Sequence, residues 1–146
     1  MRISTKGRYG LRAMMDLAVF SNDEHVPLNS IAERQKISPN YLEQVFSSLR
    51  KAGLVKSVKG AQGGYALTEK PSEIRVGTIL RALEGELAVI DNKNSIFKNA
   101  IQLCLDEFVW DRMNNCLNEV VDSITLEDLA SDYRRINGLE ANMYYI

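Results

Sequence analysis

Apolar residues recur at helical spacing in six stretches of this chain, and between the third and fourth the period shortens to two. The first stretch, Tyr9 to Phe20, follows caps offered by Ser4 and Thr5 and predicts a largely buried helix. Ser21 to His25 is a polar loop, and the lone histidine, His25, is read as part of it. Pro27-Leu28 opens a second helix to about Lys36, with Ile31 and Ala32 facing inward. Ile37-Ser38 then turns the chain into a third helix, from Pro39 to about Ala52. Ser38 can satisfy one orphan amide at that start and Pro39 removes another.

Gly53 is a natural stop, after which Leu54-Val55-Lys56-Ser57-Val58 alternates as a strand does. Gly60, Gly63 and Gly64 make a turn, and Tyr65-Ala66-Leu67-Thr68 returns as the partner strand. Two helices joined by a tight turn and followed by a hairpin predict a winged helix-turn-helix, a fold that is mainly α with a small β-hairpin.

Past Pro71 a short helix is predicted from about Val76 to Leu83, closed by Gly85, and Glu86 to Ser95 reads as a linker. From Ile96 to Ser123 the pattern is helical again, a span on the order of 40 Å. Two apolar stripes run along it. Leu105, Val109, Met113, Cys116 and Val120 form one; Trp110, Leu117, Val121 and Ile124 form the other. A face this wide serves two surfaces, so one stripe is expected on the chain's own first domain and the other on a twin. Thr125 caps a last short helix, and Asn137 to Ile146 is read as a tail. The predicted domains are a DNA-binding unit at 1–85 (helix-turn-helix about 28–51, wing about 54–68), a linker at 86–95, a dimerisation helix with its short follower at 96–136, and the tail at 137–146.

Charge gives the first half a partner. Over the whole 146 residues the net charge is −1, yet Met1 to Thr68 carries 10 Lys/Arg against 5 Asp/Glu, and the rest carries 8 against 14. A basic half joined to an acidic one fits nucleic-acid binding by the first. No apolar run reaches the roughly 18 residues of a membrane span, and the first residues lack a signal-peptide core, so a cytoplasmic protein is expected.

The helix-turn-helix reading assigns roles to named side chains. Ser38, Asn40, Tyr41, Glu43 and Gln44 lie on the cap and early turns of the recognition helix. Asn and Gln can pair with an adenine edge, and Glu can accept from cytosine N4. Arg50, Lys51, Lys56 and Lys59 are expected at phosphates, Lys59 or Gln62 at the wing tip can enter a minor groove, and Lys6 and Arg8 are further phosphate candidates.

Other chemistries find little support. The glycine-rich Gly60 to Gly64 lacks the Gly-Lys-Ser/Thr ending of a phosphate loop and joins strands rather than opening a helix. Asp106-Glu107 and Glu127-Asp128 are read as solvated helix surface. No constellation of nucleophile and base is present, so the chain is not expected to be an enzyme. Cys104 and Cys116 make neither a disulfide framework nor a metal site. Cys116, on an apolar stripe, is read as inert core; Cys104 is the one redox candidate.

Met1 through Gly10, Ile31-Ala32-Glu33-Arg34, Tyr41-Leu42-Glu43-Gln44, Leu49 through Val55, and Gly63-Gly64-Tyr65 together resemble the Rrf-two family of bacterial transcription regulators. The match covers nearly the whole chain and is densest over residues 1 to 68. It implies a homodimer that binds double-stranded DNA, with a long helix that crosses to the partner. A cluster-binding branch of that family carries three cysteines and a histidine, which fall here at Asn92, Lys98, Cys104 and Glu107. Two-iron clusters take about four thiolate or imidazole ligands, so no cofactor is expected. The ending Tyr144-Tyr145-Ile146 is similar to that of the family's cysteine-metabolism repressors. That likeness implies a complex with cysteine synthase, with Ile146 and its carboxylate as anchor and Tyr144 and Tyr145 at the pocket mouth.

Overall fold

Helix α1 (Thr5–Phe20) begins where Ser4 accepts a hydrogen bond from the Gly7 amide, four residues ahead of the periodic stretch. The structure, a computed structural model, describes residues 1–91 and 99–144, with backbone alone for 140–144. Pro27 precedes α2 (Leu28–Gln35), which ends on Lys36 in the left-handed region at φ 55°. Ser38 accepts from the Tyr41 amide at 3.3 Å and Pro39 takes the first position of α3 (Pro39–Lys51), as the cap signals predict. Strands β1 (Val55–Val58) and β2 (Gly64–Leu67) pair antiparallel, with Val55 opposite Leu67 and Val58 opposite Gly64.

One core joins these elements. Leu42, Val45, Phe46 and Leu49 form the buried face of α3, packed with Met14 and Leu17 of α1 and Ile31 of α2. Beneath them sits an ion pair that no linear pattern reveals. Asp16 of α1, 2% exposed, accepts from Arg34 at 2.7 and 2.9 Å and from Gln35 at 2.9 Å, which fixes α2 across α1. The hydrogen bond to Asp16 holds the Arg34 guanidinium above its ordinary pKa, and Arg34 also lies 4.3 Å above the Phe20 ring.

After a single turn at Pro71–Glu73, helix α4 (Val76–Glu84) bridges the two halves. The interval read as a linker is anchored at its start: Leu87 is buried, and the Val89 amide donates to Asn114 Oδ1 at 2.8 Å. The long helix is described from Ala100 onward, its cap being Asn99, which accepts from the Gln102 amide at 2.8 Å; residues 96–98 lie outside the described residues. It is not one uniform helix. Between α5 (Ala100–Leu105) and α6 (Asp111–Ser123), residues Asp106–Trp110 form a wider turn of π-helix. Such a turn inserts one residue and so rotates the faces of α6 relative to those of α5.

Two further expectations need correction. Asp106 is buried rather than solvated and accepts from Gln102 at 3.0 Å. Asp128 is exposed, as expected, and exchanges hydrogen bonds with Thr125 as a capping box. Helix α7 (Leu126–Tyr144) is long, and covers most of the stretch read as a tail. Asn137-Gly138 resembles a stop, but an interior glycine costs only about 1 kcal/mol against alanine. The start of α7 is also no appendage: Leu126 is fully buried in the core of the first half, and Tyr133 meets Phe20 edge-on.

Candidate nucleic-acid interface

The amphipathic period of α3 divides its residues between two tasks. With Leu42, Val45, Phe46 and Leu49 turned inward, Asn40, Glu43, Gln44, Arg50 and Lys51 stand exposed on the opposite face. Ser38 is spent on the cap, where its hydroxyl accepts from the Tyr41 amide. Tyr41 is half-buried, its ring packed edge-on against Tyr9 with centroids 6.0 Å apart. Its ring therefore supports the first turn of α3, with its outer edge still in solvent.

The hairpin lies beside that helix because aromatic rings lock it there. Phe46 and Tyr65 stack with centroids 4.4 Å apart and planes 16° from parallel, joining β2 to the middle of α3. Behind the hairpin Val26 pairs with Tyr65 through bonds of 2.8 and 2.9 Å, a short third edge. A Cβ on Gly64 would lie 2.2 Å from the Val26 carbonyl oxygen, so this approach requires glycine. Lys56, Lys59 and Gln62 are exposed along the hairpin and at its tip.

The amino end of α1 adds cations at the same edge. Lys6 is half-buried and Arg8 exposed, and Arg8 donates to Thr5 Oγ1 at 3.2 Å. Arg12, which sequence reasoning did not single out, sits 5.1 Å over the Tyr9 ring and donates to the Gln35 carbonyl. Its helical spacing of four from Arg8 is the signal that could have found it. Glu84 of α4 holds this end in place, accepting from the Ser4 and Gly7 amides at 3.0 Å each.

Helix α4 also grips the second half. Arg81 donates to both Asp122 oxygens at 2.7 and 2.8 Å and to Asn118 at 2.5 Å. Chiefly through the hydrogen bond with Arg81, the Asp122 carboxyl is held below its ordinary pKa. A Cβ on Gly77 would lie 2.0 Å from Asp122 Oδ1, so the missing side chain leaves room for the Asp122 carboxylate against α4.

The two stripes of the long helix behave differently. Leu117, Val121 and Ile124 pack with Val76, Leu80 and Leu87, so this stripe meets the chain's own first half, while Trp110 is half-buried. Leu105, Met113, Cys116 and Val120 are exposed and Val109 is half-buried. Cys116 is therefore not core, because its stripe has no cover among the described residues. Ile101 at 73% and Phe108 at 64% exposure extend the apolar surface. Cys104 and Glu107 are both exposed, whereas Asn92, Lys98, Tyr145 and Ile146 lie outside the described residues, and the Tyr144 side chain is not described. Among the described residues no group of three or more His, Cys, Asp or Glu is arranged to hold a metal ion, and no helix is long and apolar enough to cross a membrane.

Known proteins share this arrangement. The Rrf2 profile, described as an iron-dependent transcriptional regulator, matches residues 3–132. The HTH-type transcriptional regulator CymR of Bacillus subtilis (strain 168) is 44% identical over 146 residues, covering 100% of both chains. The solved structure of CymR (YrzC), the global cysteine regulator of B. subtilis, superposes with a TM-score of 0.77 over 90% of this chain and 97% of that one, at 44% identity. The HTH-type transcriptional regulator IscR of Photobacterium profundum is 41% identical over 132 residues, 90% of this chain and 77% of the relative. A capped helix with a polar outer face, a hairpin stacked against it, and kinship along nearly the whole chain lead to one conclusion: this protein is not an enzyme but a DNA-binding transcription regulator of the Rrf2 family.

Proposed function

We propose that the chain acts as a dimeric repressor of genes of cysteine and sulfur metabolism, controlled through cysteine synthase. The observation that carries the DNA-reading part is the shared exposed face of α3 and the hairpin, which joins Asn40, Glu43 and Gln44 to Arg50, Lys51, Lys56 and Lys59. In this reading the first three meet base edges in a major groove. The four cations, with Lys6 and Arg8, meet phosphates, while Lys59 and Gln62 reach an adjacent minor groove. Tyr41 contributes through its outer edge and Ser38 through the cap.

The open stripe of Leu105, Val109, Met113, Cys116 and Val120 supports a homodimer, because an apolar surface of this kind on a soluble helix marks an association site. A two-fold pair of reading helices suits a pseudo-palindrome with half-sites about 34 Å apart. The end-to-end kinship with CymR, called a global cysteine regulator in B. subtilis, supports the gene class. Cysteine synthase is the proposed partner of Tyr144, Tyr145 and Ile146, whose apolar terminal carboxylate suits a pocket built for an amino acid. Immobilised full chain should retain cysteine synthase, lose it when Ile146 is deleted, and release it to O-acetylserine. Equal retention with and without Ile146 contradicts this control.

A second control is thiol oxidation, favoured by the exposure of Cys104. Peroxide should then change DNA affinity in the wild type and not in Cys104→Ser. Iron–sulfur control fits the residues poorly. Of the four positions corresponding to a cluster's ligands, only Cys104 supplies a thiol, well short of the roughly four thiolate or imidazole ligands required.

A further inference from the structure

The hairpin tip is tied down by a residue outside both the helix-turn-helix and the hairpin. Asn22 and Asp23 adopt the left-handed region at φ 44° and 62°, a conformation these two residue types tolerate better than most. The Glu24 amide donates to the Ser21 carbonyl at 2.7 Å, closing the turn. This turn delivers His25, half-buried, directly beneath the wing, where its Nε2 meets the main-chain oxygen of Gln62. A carbonyl oxygen only accepts, so the Nε2 nitrogen carries the proton and donates. Next in sequence, Val26 makes its two bonds to Tyr65. His25 and Val26 thus hold the hairpin at its tip and at the neighbouring end of β2.

We infer that His25 is a positioning residue for DNA reading, fixing the wing tip so that Lys59 and Gln62 are presented to the minor groove. The inference rests on the proposed minor-groove role of the tip. Without the His25 bond, the ties left at the tip among the described residues are its own turn, in which the Gly63 amide donates to the Gly60 carbonyl at 3.0 Å, and the Val58–Gly64 pairing where the strands meet it. A loose tip reaches the groove less often, and it cannot favour a narrow, A·T-rich groove over a wide one. The contacts of Asn40, Glu43 and Gln44 stand on α3 and do not depend on His25.

The test compares the full chain with His25→Ala, His25→Phe and His25→Gln. Phe keeps the ring and cannot donate; Gln loses the ring and can still offer an N–H to the Gln62 oxygen. Two quantities are read. One is amide hydrogen exchange at Gly63. The other is the preference for an operator with A·T-rich rather than G·C-rich sequence under the wing, alongside discrimination at the major-groove base pairs. Ala and Phe should speed Gly63 exchange about fivefold, the equivalent of one net hydrogen bond. They should also erase the flank preference while leaving major-groove discrimination intact, and Gln should restore both. Unchanged exchange in Ala and Phe overturns the anchor itself. Faster exchange with an intact flank preference overturns the positioning role and shows that the minor-groove reading of the tip is at fault. Failure of Gln to restore either quantity overturns hydrogen bonding as the cause.

Discussion

Helices α3 and α6 carry apolar stripes of similar strength, yet α3 hides its stripe and α6 leaves half of its apolar surface in water. Leu42, Val45, Phe46 and Leu49 are fully buried, whereas on α6 only Val121 is buried, and Met113 and Val120 are exposed. The first helix has completed its packing inside one chain, so its function lies on the polar face that remains. The second has not, and its apolar face is the one the proposed function uses. In the function proposed above, the same amphipathic pattern serves as a reading surface in one region and an association surface in the other, and burial separates the two.

The largest effect is expected where the contrast is sharpest. Phe46→Ala should cost about 3–5 kcal/mol, because it empties a filled core and removes the stack on Tyr65. Phe108→Ala, an equal loss of side chain at 64% exposure, should change the stability of an isolated chain by less than about 0.5 kcal/mol. Urea melts of both variants check the pair, with Phe108→Ala compared at concentrations where copies do not associate. Equal losses would mean that the buried face of α3 and the exposed apolar surface of the long helix do not differ as described.

Next comes the open stripe. Val120→Asp should leave the reading half folded and separate the copies. Operator affinity should then fall about 100-fold or more, through loss of the linked second half-site. Analytical ultracentrifugation with a DNA titration reads both quantities, and a dimer that survives the charge would remove Val120 from the interface.

Within the reading half, Glu43→Ala should cost about 1–3 kcal/mol at one base pair per half-site and flatten selectivity there. A uniform loss on all sequences would make Glu43 something other than a base reader. The smallest effect is in acid. Asp122 is held below its ordinary pKa chiefly by the Arg81 hydrogen bond, and Asp128 chiefly by the Thr125 amide. Their folded values lie below the unfolded value of about 3.9. Their stabilisation is therefore complete above that value and is lost as pH falls through the folded values. Both groups are solvent-accessible, so the loss is modest. Asp122→Asn should show a shallower fall in stability below about pH 4 than the wild type.

What could be read from sequence was local. Ser38, Pro39 and the alternation from Leu54 specify α3 and the hairpin through neighbours a few residues away, and the structure agrees with them. The contacts that assemble those pieces join distant positions and leave no periodic trace. Arg34 reaches back 18 residues to Asp16, His25 reaches 37 residues to Gln62, and Arg81 reaches 41 to Asp122. The π turn at Asp106–Trp110 and the passage of α7 through Gly138 are likewise hidden, since one extra residue or one tolerated glycine barely alters an apolar pattern. Cys116 is misplaced by its pattern for a related reason: an apolar stripe left open to solvent looks the same in sequence as a stripe packed into the core.

The association surface and the reading surface meet in one measurement, a hydroxyl-radical footprint of the full chain on its operator with the number of bound chains counted by ultracentrifugation. Two chains should protect two patches about 34 Å apart on one face of the duplex. A single protected patch occupied by one chain would contradict the account, because the open stripe of the long helix would then have no role in DNA reading.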